Sequence, residues 1–265
     1  MSQVAIRDQG AVRLVTLTNP PRGYMNAAGA AELLVALDAA LGDPAVRAIV
    51  FTGGLPGVFI RHYDVSEIKV VAEAVRNGAV RAGGERAASP VYALIDSLVA
   101  CEKPTLAAIN GVCMGGGLEF ALACDIRVAQ SGGYPIGLPE TLLGIVPGLG
   151  GLQLMARAVG IARARELVLR GRVVEPDEAE RLGLVHEIAT DALDRALEIA
   201  AELATRPPRA VVAVKRMAAL VAAGESLEAG MASAAGEFIA TLAESGEALT
   251  RIDAFLSGGE DILTH

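Results

Sequence analysis

The sequence predicts a layered α/β protein. Three observations carry that prediction: short runs of Val, Ile and Leu that stop at turn residues, helical stretches between them, and a composition rich in glycine and poor in aromatics. Hydrophobic residues make up 52% of the 265 and charged ones 20%, which supplies a large buried core and excludes disorder as the main state. Trp is absent, aromatics are 3% and glycines number 30, so the core has to be packed from Ala, Val, Leu and Ile around tight turns.

The strands come first. Val12–Thr18 ends at Asn19-Pro20-Pro21, Ala48–Thr52 at Gly53-Gly54, and Thr105–Ile109 at Asn110-Gly111, each an apolar run closed by turn formers. Helical periodicity fills the gaps, over Ala28–Leu41 before Gly42-Asp43-Pro44 and over Ser89–Ala100 before Pro104. Ala72–Ala88 is small, polar and rich in Gly and Arg, which suggests a mobile surface segment or a partly frayed helix that could border a substrate entrance. After about Thr205 the pattern is wholly helical: Pro207-Pro208 is followed by Ala210–Ala223, Leu227–Ala243 and Gly246–Phe255. The division expected is a core over residues 1–204 and a helical portion over 205–265.

Charge and composition remove several function classes. A net charge of -8 and the lack of a basic run interleaved with aromatics argue against nucleic acid, although a local patch or a helix N-terminus can still hold a phosphate-bearing ligand. Cys101, Cys113 and Cys124 are odd in number and sit among apolar neighbours, so they read as reduced core residues in a cytoplasmic protein. The opening residues lack a signal pattern, and the longest apolar region, Leu106 to Cys124, is broken by Asn110, a glycine cluster and Glu119, so no membrane span is expected. His62, His186 and His265 lie far apart and no pair has ligand spacing, so no metal site is expected.

The stretch from Ala108 to Asp125 carries the chemistry. It reads as a strand, a glycine loop (Gly111-Val112-Cys113-Met114-Gly115-Gly116-Gly117) and the start of a helix holding Glu119. Glycines let a ligand approach the backbone, and the unpaired N–H groups of a first helical turn favour negative charge. Glu119 follows Gly116 by one turn, so its carboxylate can stand beside the atom that the Gly116 N–H holds. The pattern alone equally fits glycines that relieve crowding beside a solvated first-turn acid.

Gly111-Val112-Cys113-Met114-Gly115-Gly116-Gly117-Leu118-Glu119 with Cys124-Asp125 resembles the signature of the enoyl-CoA hydratase/isomerase (crotonase) family. Four further segments agree in order: Val46–Gly54, Pro139–Gly151, Glu166–Gly171 and Ala179–Val185. The resemblance implies an α/β spiral of repeated β-β-α units with a C-terminal helical region that forms a homotrimer or a dimer of trimers. It implies an acyl-CoA thioester as substrate, coenzyme A entering only as part of that substrate, and no separate cofactor. It maps the oxyanion N–H groups to Tyr63 and Gly116 and the catalytic acids to Glu119 and Glu140. Since relatives with other reactions often keep one acid, the pair favours water addition across a 2,3-double bond, with one carboxylate accepting a proton and the other carboxyl supplying one. Glu140 also reads simply as a helix-entry acid after Pro139.

The departures from the family pattern fall in Phe59-Ile60-Arg61-His62-Tyr63-Asp64, where bulky side chains replace small ones. A narrower or more polar acyl pocket follows, with His62, Arg61, Met25, Leu142 and Gly148 as its candidate residues. His62 is read as a packing or hydrogen-bonding residue rather than a proton carrier. The basic C-terminal segment that helps hold the nucleotide is replaced by Ser257-Gly258-Gly259-Glu260. Isomerisation, decarboxylation, dehalogenation, hydrolysis, or noncatalytic acyl-CoA binding stand as alternatives.

Overall fold

The computed structural model describes residues 2–79, 89–244 and 246–258. The chain divides into two compact units, Met1–Ala204 and Thr205–His265.

The first unit is built on two sheets. One has six strands, in the order β1 (Val4–Gln9), β2 (Val12–Leu17), β3 (Ala48–Gly53), β5 (Thr105–Ile109), β7 (Ile126–Gln130) and β10 (Glu187–Ala189). The other has four, β4 (Gly57–Ile60), β6 (Gly111–Met114), β8 (Ile136–Gly137) and β9 (Val173–Val174). Three successive strand pairs, β3 with β4, β5 with β6 and β7 with β8, each give one strand to either sheet before the chain turns helical. That is the spiral of β-β-α turns which the resemblance implied.

Strand β3 shows why the sequence folds this way. All six of its residues are buried, since Ile49 and Phe51 face one apolar cluster and Ala48 and Val50 another. A parallel strand covered on both faces has to be a continuous apolar run, and that made it legible. Its second face is covered by Ala192, Ala196 and Ala200 of α8 (Ala192–Ala204), small residues one turn apart that let the helix lie close to the sheet. The first face packs α1 (Ala27–Gly42) and α3 (Pro90–Val99). In α1, Asn26 caps the N-terminus by accepting from the Gly29 N–H at 2.8 Å, and Ala30, Leu33, Leu37 and Ala40 form the buried stripe.

One expectation is corrected. The presumed glycine loop contains β6, which pairs in parallel with β4, and the close approach of Gly111 to the Gly57 backbone allows that pairing. Of Ala72–Ala88, read as a mobile surface segment or partly frayed helix, the first residues belong to α2 (Val65–Arg76), capped by Asp64, while Val80–Ala88 lie outside the described residues. Strand β1 was not foreseen, because five of its six residues are exposed and its order comes from antiparallel pairing with β2. Beyond α4 (Gly116–Ala123), the unit continues through a 3-10 turn at Glu140–Leu143, α5 (Gly151–Val159), α6 (Ile161–Leu169) and α7 (Pro176–Leu182).

The second unit consists of α9 (Pro208–Ala222), α10 (Leu227–Glu244) and α11 (Glu247–Ser257), close to the helical spans read from the sequence. Among the described residues no helix is long and apolar enough to cross a membrane.

Candidate active site

The site is assembled from three segments: the end of β4 running into α2, the start of α4, and the stretch from the 3-10 turn to α5. Helix α4 is wholly buried. Gly117 is required there, because a Cβ at that position would lie 2.1 Å from the Ile60 carbonyl oxygen. This backbone-to-backbone contact presses the first turn of α4 onto the chain leading to Tyr63. A Cβ on Gly116 would stand 3.0 Å from Tyr63 Cβ and 3.3 Å from Tyr63 N, so the two candidate oxyanion residues are neighbours.

The direction of the Tyr63 amide follows from its neighbours. The His62 carbonyl accepts from Met25 N at 3.0 Å and Asp64 N donates to the Met25 carbonyl at 2.8 Å. Because each peptide is planar and trans, the Tyr63 N–H and C=O must both point away from Met25. The Tyr63 and Gly116 N–H groups take no part in the hydrogen bonds that join these segments among the described residues. Two adjacent unspent amides, one at a helix N-terminus, are an arrangement able to hold developing negative charge on oxygen.

Both acids are brought to this place. Glu119 is 2% exposed, and its Oε1 accepts from the amides of Leu149 at 2.7 Å and Gly151 at 2.8 Å. Burial pushes its carboxyl up to about 7, with the charge of Glu140 adding to the rise and the two amides opposing it. Glu140 begins the 3-10 turn, and its Oε1 lies 3.0 Å from the position of a Gly115 Cβ. Its Oε2 is buried without a hydrogen-bond partner among the described residues, and burial raises its pKa too. The reading of Glu119 as a solvated first-turn acid is therefore overturned.

The other candidates divide. Met25 is fully buried, with Cε 3.6 Å from a Gly116 Cβ position, and so belongs to the site. Gly148 stands next to Leu149, whose amide holds Glu119. Leu142 is 71% exposed and packs over Gly171, and Arg61 turns outward to donate from Nε to the Arg22 carbonyl at 2.9 Å. His62 donates from Nδ1 to the Tyr63 carbonyl at 2.7 Å, and its ring stacks on Tyr24 with centroids 4.4 Å apart. Phe59 and Ile60 are buried in the main core cluster.

Sequence reasoning missed the amides of Leu149 and Gly151, and it missed Glu67. The Tyr63 hydroxyl donates to Glu67 Oε2 at 2.5 Å, and the same oxygen accepts from Ala27 N at 3.0 Å, which ties α2 to the start of α1. The signal for Glu67 was its spacing of one turn from Tyr63.

The profile of the enoyl-CoA hydratase/isomerase family matches residues 7–254. The chain is 33% identical over 219 residues to the short-chain-enoyl-CoA hydratase of Clostridium acetobutylicum, covering 80% of this chain and 78% of that one. It is 37% identical over 197 residues to the peroxisomal bifunctional enzyme of Danio rerio, covering 74% of this chain but only 25% of that longer protein. The crystal structure of an enoyl-CoA hydratase from Polaromonas sp. JS666 superposes with a TM-score of 0.86 at 28% identity, covering 96% of this chain and 97% of that one.

Proposed function

The chain belongs to the enoyl-CoA hydratase/isomerase family, and on that premise we propose that it adds water across the 2,3-double bond of an enoyl-CoA thioester. The observation that carries this reading is the pair of acids: Glu119, buried, and Glu140, half-buried, are close enough to repel and converge beside the paired amides of Tyr63 and Gly116. The amides take the thioester oxygen, where charge accumulates once the β-carbon is attacked, and one such donor contributes on the order of 3–4 kcal/mol to the transition state.

The two carboxyls differ in a way that assigns their roles. Glu119 Oε1 is held by two N–H donors that favour the anion, while Oε2 accepts nothing from the described residues and is left to take a proton from water. Glu140 has a buried oxygen without a donor among the described residues, an environment that favours the neutral acid. The water O–H bond breaks towards Glu119 as its oxygen bonds to the β-carbon; the π electrons move onto the thioester oxygen, and the enolate collapses by taking the Glu140 proton at the α-carbon. The product gains the hydroxyl of the water and the Glu140 proton; the water proton left on Glu119 and the charge left on Glu140 are exchanged through solvent, so one water is added net and both acids are restored.

Coenzyme A enters with the substrate, and we propose no other cofactor. We place the protein in the cytoplasm, as expected for one whose three cysteines are buried thiols. We further propose a homotrimer or a dimer of trimers: Val214, Val221, Leu227, Met231, Phe238 and Ile239 of the second unit are each more than 60% exposed, an apolar surface suited to burial between copies. Sedimentation showing a monomer at micromolar concentration would contradict the assembly. The reaction is tested by incubating purified protein with enoyl-CoA thioesters of graded chain length and following loss of the conjugated absorbance. Hydration of at least one is expected; isomerisation, hydrolysis or no reaction across the panel would reject the reading.

A further inference from the structure

In an extended chain the N–H and the C=O of one residue leave on the same side. Pairing with Met25 forces the Tyr63 N–H and C=O onto the side away from it, so the N–H that would hold a thioester oxygen has its own residue's carbonyl as a neighbour. An oxyanion site bordered by an uncovered carbonyl oxygen works against itself, because the negative end of that dipole opposes the charge the N–H is placed to stabilise. Here that carbonyl is covered. His62 Nδ1 lies 2.7 Å from it, and since a carbonyl only accepts, Nδ1 carries the proton.

The imidazole is itself held. It stacks on the Tyr24 ring at 4.4 Å with 28° between the planes. Tyr24 is fixed in turn, its carbonyl accepting from Asn19 Nδ2 at 2.9 Å and its hydroxyl from Arg22 at 3.1 Å. His62 Cβ stands 3.6 Å from the position of a Gly115 Cβ, so the ring is anchored beside the first turn of α4.

We propose that His62 is a positioning residue of the oxyanion site: its Nδ1–H occupies the Tyr63 carbonyl, fixing that peptide and keeping its negative end from opposing the thioester oxygen. The inference rests on the thioester reading above but not on hydration being the reaction. It turns on one atom, Nδ1, which separates it from a stacking role for the ring and from proton transfer through Nε2.

Three variants distinguish these roles. In His62→Asn the amide nitrogen sits where Nδ1 was; His62→Gln offers a donor only near the Nε2 position; His62→Phe keeps a ring to stack but no donor. We expect His62→Asn to keep kcat within about threefold, and the Gln and Phe variants to lose about tenfold in kcat with KM nearly unchanged, the size of one hydrogen bond. A second readout does not need turnover: a cinnamoyl-CoA thioester absorbs further to the red when its carbonyl is polarised, and that shift should shrink in the Gln and Phe variants and persist in the Asn variant. Full kcat and red shift in His62→Phe, in protein with unchanged Tm, would overturn the inference, as would an Asn variant as impaired as Phe. A parent protein that shifts the probe but hydrates nothing would reject the hydratase reading alone. A parent that gives no shift at all would sink the oxyanion site and this inference with it.

Discussion

The two walls of the proposed oxyanion site solve the same problem by opposite means. The wall formed by Gly115, Gly116 and Gly117 removes side chains, so that backbone can approach backbone to 2.1 Å from a would-be Cβ. The facing wall, Arg61 to Tyr63, keeps bulky side chains and gives each a partner elsewhere: Arg61 on the Arg22 carbonyl, His62 on its neighbour's carbonyl and the Tyr24 ring, Tyr63 on Glu67. An amide is presented either by having nothing around it or by tying down everything around it. The first wall should fail abruptly when changed and the second by degrees.

The largest effect is expected at the two acids that stand beside the first wall. Glu119→Gln keeps an oxygen for the Leu149 and Gly151 amides but cannot take a proton, and Glu140→Gln cannot give one, so each should cut kcat by about 10²–10⁴ with thioester binding nearly intact. Steady-state kinetics and a binding titration check this; wild-type kcat in either variant removes that residue from the chemistry. Next comes Gly116→Ala, whose methyl group would stand 3.0 Å from Tyr63 Cβ and press the walls apart. A loss of roughly 10²–10³ in kcat corresponds to one misplaced oxyanion donor. An unimpaired alanine variant would mean that the walls tolerate separation and that the comparison between them is false.

The difference between the walls also explains what could be read from the sequence. The glycine wall advertises itself, because only glycine allows such contact and the residues that satisfy it are contiguous. Strands β3 and β5 were legible for a similar reason, being buried on both faces and therefore unbroken apolar runs. The side-chain wall was read as a constriction, since bulk is visible in sequence and direction is not: Phe59 and Ile60 are buried in the main core cluster. The partners that redirect the others, Arg22, Tyr24 and Glu67, come from separate segments or from a helix whose register had not been assigned. The amides of Leu149 and Gly151 left no signal, because any residue supplies an N–H. Strand β1 escaped because an exposed edge strand carries no apolar alternation.

A pH titration sharpens the comparison next. Below the ordinary carboxyl value near 4.5, Glu119 is neutral in folded and unfolded chains alike; as pH rises through about 7 the folded chain must ionise it in an apolar setting, and stability is lost. Glu119→Gln escapes this, so it should match the parent below pH 4.5 and exceed it above pH 7 by up to about 3 kcal/mol. Parent turnover should move the other way, climbing through about pH 7 as the base ionises. Denaturant midpoints across pH check the first statement and a pH–rate profile the second. A stability difference that does not change with pH would mean that Glu119 is not held in the strained state its burial implies.

The smallest effect belongs to the Tyr63 side chain. Its backbone N–H is the proposed donor, so removal of the hydroxyl leaves the oxyanion site chemically intact. What Tyr63→Phe removes is the hydrogen bond to Glu67 Oε2, and that oxygen keeps its other donor, the Ala27 N–H at 3.0 Å. Glu67 is therefore not stranded, and the clasp between α1 and α2 loses one of its two bonds. The segment on either side of Tyr63 stays pinned by the pairing of Met25 with His62 and Asp64. The expected outcome is a loss of about 1 kcal/mol in stability, the ordinary worth of one such bond, with kcat within about threefold of the parent. Thermal or urea unfolding measures the first and the hydratase assay the second. Glu67→Gln, which can still accept from both donors, should cost less than Tyr63→Phe in stability and nothing in kcat. A fall of a hundredfold in Tyr63→Phe would show that the hydroxyl acts on the reacting atoms themselves, and the two walls would no longer be distinguished by what their side chains do.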